Sequence, residues 1–277
     1  MDWWQAILLG IVQGLTEFLP VSSSGHLMIA RELFGVEAEG FLDFTVMVHF
    51  GTVLSTVVVF WGVISRLLKG FFKFRYNDET DYVCKIIVSM IPVFVVGMFL
   101  KDNVEALFGD SLTTVAVCLV VTAVLLMLSD MDIPDRIRRR SGRIVESSHR
   151  NGISYLQALV VGLGQAIAVA PGLSRSGTTI ATGLITGVKR SVMAEFSFLM
   201  VLVPILGEQL LDMLDGISGE AGMASGVGVL PLALGFAAAF ISGLFACKVM
   251  VALVKKSKLR WFAVYCAAVA AAILIFA

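Results

Sequence analysis

The sequence predicts an all-α polytopic membrane protein built as an inverted-topology repeat, each half one re-entrant helical hairpin plus three transmembrane helices. Three observations predict it. The 277-residue chain is 58% hydrophobic and 15% charged, with a mean hydropathy of +0.91, against roughly 45–50% apolar and about 25% charged in a soluble domain. Six apolar stretches reach or approach the ~20 residues that a membrane helix needs. Two Ser/Gly-rich stretches 152 positions apart interrupt the remaining apolar sequence. Polar, helix-breaking sequence at membrane depth is tolerated only where protein or water covers it. Paired breaks in corresponding positions therefore point at a site inside the membrane.

The N-terminus, Met1 to Trp4, has no basic region and no small-residue cleavage site, so it is expected to be retained, with Trp3 and Trp4 at an interface. Residues 3–36 form the first expected hairpin: an apolar arm, a turn around Pro20, and a shorter arm. Spans are expected at 43–65, 83–100 and 112–129. A basic linker, 131–154, precedes the second expected hairpin at 155–187. Spans at 192–212, 227–250 and 261–277 complete the chain, a single membrane domain over 1–277 with repeat 1 at 1–130 and repeat 2 at 155–277.

Charge sets the orientation. Arg66, Lys69, Lys73 and Arg75 follow the first span. Arg136, Arg138, Arg139, Arg140, Arg143 and Arg150 crowd the linker, and Lys255, Lys256, Lys258 and Arg260 precede the last span. These segments are expected inside, and the Lys/Arg-poor segments 101–111 and 213–226 outside. Both termini then lie outside.

The repeat is ungapped over the hairpins. Ala6, Gly10 and Gln13 match Ala158, Gly162 and Gln165; Ser22, Ser24 and Gly25 match Ser174, Ser176 and Gly177; Gly35 and Val36 match Gly187 and Val188. Each half carries three spans, an odd number, so the second half is expected inverted relative to the first. Asp43 and Glu195 share positions after the hairpins and read as interfacial or hairpin-supporting groups.

Composition excludes some functions. The net charge is zero and the basic residues sit in short loops, which argues against nucleic-acid binding. Cys84, Cys118, Cys247 and Cys266 lie in apolar runs without CxxC pairing and read as small packing residues. His49 reads as a helix-packing residue and His149 as solvated.

The chemistry sits in the two breaks. Glu17 follows Gln13 by four positions, which places both on one helix face. A carboxylate at the bilayer centre costs about 2.5–3.5 kcal/mol and needs a partner or a task. Pro20 ends the first arm. The turn Ser22-Ser23-Ser24-Gly25-His26 then offers hydroxyls and N–H groups to an anion. Arg175, in Pro171-Gly172-Leu173-Ser174-Arg175-Ser176-Gly177-Thr178, matches Ser23 in the repeat, and its fork of donors fits phosphate or carboxylate. A hydroxyl, a carboxylate, an imidazole and a guanidinium together suit phosphoryl transfer.

Gln13-xxx-Glu17, Pro20-Val-Ser-Ser-Ser-Gly-His26 and Pro171-Gly-Leu-Ser-Arg-Ser-Gly-Thr178 together resemble the undecaprenyl-diphosphate phosphatase family, the BacA/UppP type associated with bacitracin resistance. The resemblance covers nearly the whole chain. It implies hydrolysis of undecaprenyl diphosphate to the monophosphate carrier and phosphate, in the bacterial inner membrane, with the site open to the outer face. It maps the family's serine, histidine and arginine to Ser23, His26 and Arg175. Gln13 and Glu17 fall on its glutamate motif, and Ser174, Ser176 and Thr179 on its phosphate loop, beside Ser22, Ser24 and Thr178. Gln13 cannot act as a base, so members with Glu there carry one more carboxylate. The family's association with divalent cations implies Mg²⁺ or Ca²⁺ held through Glu17 and the diphosphate. The partners expected are the polyprenyl lipid and the bilayer, with the oligomeric state open. A transporter or flippase of an anionic polyprenyl lipid is the second reading, because inverted repeats with broken helices are also a transporter architecture. A structural membrane subunit is the third.

Overall fold

The computed structural model describes residues 1–37, 40–99, 111–131, 150–170, 172–218, 227–256 and 258–276, with side chains to 207 in the fifth segment and to 255 in the sixth. All regular structure among them is helical. In chain order the helices are α1 (Trp3–Thr16), α2 (Ser23–Leu33), α3 (Phe41–Phe71), α4 (Asp78–Phe99) and α5 (Leu112–Ser129). After a single 3₁₀ turn (Arg150–Gly152) come α6 (Tyr155–Ile167), α7 (Arg175–Ile185), α8 (Arg190–Ser218), α9 (Val229–Lys256) and α10 (Arg260–Phe276).

Each expected span finds a helix. α3, α4, α5, α8 and α9 are long and apolar enough to cross a membrane; α10 is apolar and one residue shorter than the others' 18-residue minimum. The helices overrun the apolar stretches: α8 continues to Ser218, and α3 to Phe71, where Arg66 and Lys69 propagate a helix as well as apolar residues do. Segments 101–110, 132–149 and 219–226, with His149 and every linker arginine except Arg150, lie outside the described residues.

Both hairpins are built by the same local chemistry. Asp2 N–H donates to Gln5 Oε1 at 2.7 Å, and Ser154 N–H to Gln157 Oε1 at 2.9 Å, closing the first turns of α1 and α6. The same two glutamines then tie each arm to the end of its hairpin: Gln5 Nε2 donates to Phe34 O and Gln157 Nε2 to Thr186 O, both at 3.0 Å. Ser22 Oγ accepts the Gly25 N–H at 3.3 Å and Ser174 Oγ the Gly177 N–H at 3.1 Å, capping α2 and α7. Gly35 (φ +62°) and Gly187 (φ +88°) supply the left-handed residue after α2 and α7.

Glycines set the close packing. A Cβ on Gly10 would lie 2.4 Å from Gly235 O, which brings α1 onto α9. One on Gly162 would lie 2.2 Å from Ser89 O, which brings α6 onto α4. Small residues at such crossings replace the hydrophobic drive that lipid removes. α3 packs on α9 and α8, α5 on α10 and α7, and the largest apolar cluster runs through Phe196, Leu119, Leu126, Met193 and Met250.

Two charged clasps sit at one end of the bundle. Inside α4, Lys85 Nζ lies 2.6 Å from Asp81 Oδ2 and donates to Arg150 O at 2.7 Å; both side chains are almost fully buried. Asn151 Nδ2 also donates to Asp81 Oδ2, at 2.9 Å, and Tyr76 OH to its Oδ1, at 2.8 Å. Asp130, after α5, accepts from Arg190 Nη2 at 2.5 Å and from Arg260 N–H at 2.8 Å, joining the starts of α8 and α10.

Candidate active site

α1 delivers Glu17 to the first turn. Gln13, fully buried one helical turn earlier, donates from Nε2 to Glu17 Oε2 at 2.8 Å. Phe18 and Val21 anchor the turn in the apolar core. Ser22 has φ +69°, a left-handed backbone uncommon outside glycine, and its buried hydroxyl caps α2. Ser23 is therefore the first residue of α2, and its Oγ–H donates to Glu17 Oε2 at 2.6 Å.

The second turn meets the first. Gly172 N–H donates to Ser24 Oγ at 3.4 Å, and Ser176 Oγ donates to Leu19 O at 3.1 Å. A Cβ on Gly177 would touch Pro20 at 3.2 Å. Ser174 N–H donates to Thr122 Oγ1 of α5 at 3.2 Å. Arg175, first residue of α7, lines one cavity with Glu17, Thr52, Ser176 and Ser197, walled by Phe18, Val53, Phe198, Val201, Leu202 and Ile205. Glu17 is faced electrostatically by His49 and Arg175. Two helices, α2 and α7, start at this place, so two positive dipole ends face it.

Not every residue singled out in the sequence faces this cavity. His26 Nδ1 lies 2.8 Å from Ser22 O and its Nε2 2.8 Å from Tyr265 OH, with the two rings stacked. Both ring nitrogens are thus engaged away from Ser23 and Glu17. Ser22 and Ser174 spend their hydroxyls on helix caps. Thr179 is buried and bonds to Arg175 O at 3.0 Å and Ser197 Oγ at 2.6 Å. Thr178 is buried with no hydrogen-bond partner for Oγ1 among the described residues. Asp43 lies in the first turn of α3, and Glu195 lines a different cavity.

Residues to which the sequence reading gave no site role also meet here, among them His49, read above as a helix-packing residue. His49 Nε2 lies 3.7 Å from Glu17 Oε2. An ionisable residue inside an apolar helix is a functional candidate by default, and that signal was present at His49. Tyr265, Thr122 and Ser197 carried no local signal; only packing between halves brings them in.

A larger cavity, ≈ 380 Å³, lies between Arg66, Asp78, Glu79, Tyr82, Asn151 and Glu195. Size alone would favour it. Its carboxylates outnumber its one guanidinium, so it repels a diphosphate. The cavity at Glu17 is only ≈ 40 Å³, but Arg175 lines it beside Glu17, whose carboxylate accepts the Ser23 hydroxyl.

Among the described residues no three His, Cys, Asp or Glu side chains converge to hold a metal. Gln13 Oε1, buried and without a partner among the described residues, lies on the Glu17 face of α1. One carboxylate and one amide oxygen, with phosphate oxygens completing the shell, fit the hard-donor needs of Mg²⁺ or Ca²⁺.

The bacitracin resistance protein BacA family matches residues 6–272. Proteins named undecaprenyl-diphosphatase from Bacteroides fragilis and Bacteroides thetaiotaomicron are 51% and 49% identical, over 97% and 99% of this chain and 96% and 99% of their own. One so named from Carboxydothermus hydrogenoformans is 36% identical over 96% of this chain and 94% of its own. With the apolar helices, these matches make the protein a multi-pass membrane protein, and the chain belongs to the bacitracin resistance protein BacA family.

Proposed function

We propose that this protein is an undecaprenyl-diphosphatase that hydrolyses undecaprenyl diphosphate to undecaprenyl phosphate and phosphate, recycling the lipid carrier for peptidoglycan synthesis and conferring bacitracin resistance. The observation that carries the reading is the 2.6 Å hydrogen bond from Ser23 to Glu17, and Glu17 lines one cavity with Arg175.

In this reading the Arg175 guanidinium and the starts of α2 and α7 hold the diphosphate oxygens. Ser23 Oγ attacks the terminal phosphorus. The Oγ–P bond forms, the bridging P–O bond breaks towards the lipid monophosphate, and the Ser23 proton passes to Glu17. Water then attacks the phosphoserine and releases phosphate. Direct attack by water on the substrate is the alternative, with Glu17 in the same role. His26 acts through Ser22, whose carbonyl it holds, with Tyr265 fixing its other nitrogen. Ser176 and Ser24 hold the two turns together, and Ser197 and Thr179 support the backbone of Arg175. Glu17 and Gln13 Oε1 would hold a divalent cation, which when bound supplies charge neutralisation to the diphosphate.

The proposed architecture is two inverted repeats with re-entrant hairpins. Support comes from the hairpin hydrogen bonds recurring 152 residues apart. It also comes from the packing: α1 of the first half lies on α9, and its counterpart α6 lies on α4, the counterpart of α9. Basic segments lie inside, termini outside, and the site opens to the outer face of the bacterial inner membrane. The apolar wall of Phe198, Val201, Leu202 and Ile205 leads the polyprenyl tail into lipid. At ≈ 40 Å³ the cavity is far below the ~300 Å³ of small ligand sites, so the headgroup parts α3 from α8 as it binds.

The inverted arrangement also favours a lipid transporter, which needs no nucleophile. The test is purified protein given undecaprenyl diphosphate in detergent and in vesicles. Phosphate release that Arg175→Ala abolishes supports the phosphatase. Lipid movement without phosphate release supports the transporter.

A further inference from the structure

The larger cavity, ≈ 380 Å³, adjoins a second hollow of ≈ 310 Å³ where α3 ends, and Arg66 and Glu79 line both. Their charges are sorted. Asp78, Glu79 and Glu195 line the larger cavity, and Arg150 already pairs with Asp78. Glu79 and Glu195 have no ion-pair partner among the described residues. Lys69 and Lys73 line the other hollow with Ser65. One hollow therefore attracts a cation and its neighbour an anion.

Carboxylates alone would be a solvated helix start. Tyr82 makes the larger cavity a built site. It is only 8% exposed, lines the cavity and is faced by Glu195 and Arg66, yet its hydroxyl has no hydrogen-bond partner among the described residues. A buried Tyr hydroxyl ordinarily finds a partner, and a ligand atom in the cavity would be this one's.

We propose that the paired hollows bind the headgroup of a phospholipid carrying a primary ammonium and a phosphodiester. The ammonium sits in the larger cavity on Glu79, Glu195 and the Tyr82 hydroxyl; the phosphate sits next door on Arg66, Lys69 and Lys73. Three N–H donors of the ammonium meet three acceptors. A quaternary ammonium has no such donors. It needs an aromatic cage, and the one aromatic residue lining the cavity, Tyr82, packs edge-on against Phe196 at 5.7 Å. The acyl chains have a path as well. Trp61, Ser65 and Leu68 recur at i, i+4 and i+7, so they share a face of α3. Trp61 and Leu68 are exposed there, and Ser65 opens onto the basic hollow. Aromatic and basic residues at the end of a span mark a membrane interface. This site is separate from the cavity at Glu17 and does not rest on the phosphatase reading.

The experiment measures lipid binding to the detergent-purified protein by native mass spectrometry. The probes are phosphatidylethanolamine, phosphatidylcholine and phosphatidylglycerol with the same acyl chains, and soluble glycerophosphoethanolamine. The ethanolamine lipid is expected to bind about 10-fold tighter than the other two, which lack the charge-assisted hydrogen bonds of the ammonium. Glu195→Gln and Glu79→Gln each reduce that preference. Lys69→Gln with Lys73→Gln weakens the ethanolamine and choline lipids alike and leaves the preference between them. Retained binding of the choline lipid shows that a carboxylate variant is folded; should Glu195→Gln not fold, Glu79→Gln decides. Equal affinity for the ethanolamine and choline lipids, tighter binding of the glycerol lipid, or a preference that survives both carboxylate variants overturns the proposal. Glycerophosphoethanolamine binding as tightly as the lipid overturns the membrane source of the ligand.

Discussion

Ser23 and Glu17 form one unit, because a single hydrogen-bonded proton links them at 2.6 Å. In the proposed mechanism, removing either member removes the same proton transfer. Ser23→Ala and Glu17→Gln are each expected to lower kcat at least about 10²-fold, and the double variant to lose little more than the worse single one. Steady-state kinetics on the three variants checks this; independent, multiplying losses contradict it. The residues themselves were legible in the sequence: a carboxylate in an apolar arm and a Ser-rich turn after proline. Their partners were less so. Gln13 was readable as the i, i+4 neighbour of Glu17, whereas Tyr265 lies 239 positions from His26 and nothing local announces it.

At the scale of helices, caps and glycines do most of the specifying. Both hairpins could be placed before any coordinates from the Pro- and Ser/Gly-rich breaks in apolar sequence, whereas the glutamine ties join residues 29 positions apart and appear only in the fold. Which helix each hairpin packs on could not be placed either, since a glycine's neighbour across a helix crossing leaves no trace in its own segment. The crossings predict a contrast. Gly162→Ala would place its Cβ 2.2 Å from the Ser89 carbonyl and Gly10→Ala 2.4 Å from Gly235 O, so backbone must shift. Each should cost about 1–3 kcal/mol. Gly62 and Gly97 have nothing within 4 Å, and alanine there should be neutral or stabilising by about 0.5–1 kcal/mol. Thermal unfolding in detergent separates the two pairs. The Asp81–Lys85 pair was a miss of a different kind. It was open to reading as an i, i+4 pair, but the apolar run was taken to start after Asp81, and only the fold shows both charges buried inside α4.

Across the whole molecule, the site exists only because the two halves meet. Gly172 reaches Ser24 and Ser176 reaches Leu19, so neither turn is complete alone. α3 and α8, one from each half, close over the cavity through Val53, Leu202 and Ile205. Locking them should exclude the headgroup. Val53→Cys with Leu202→Cys, in a background without the native cysteines, is expected to lose turnover on oxidation and regain it on reduction. Full activity of the cross-linked protein would show that the lipid reaches Ser23 by another route. The repeat pointed to this convergence from sequence, because paired breaks at corresponding positions read as one site. The small volume of the cavity was not predictable, since it depends on how far Phe18 and Phe198 fill the gap.

Rapid-quench analysis with undecaprenyl diphosphate labelled on its terminal phosphate tests the mechanism most directly. The account predicts a burst of acid-stable label on the peptide containing Ser23, absent in Ser23→Ala and Arg175→Ala. Free phosphate appearing at the full rate with no label on the protein at any time would contradict it.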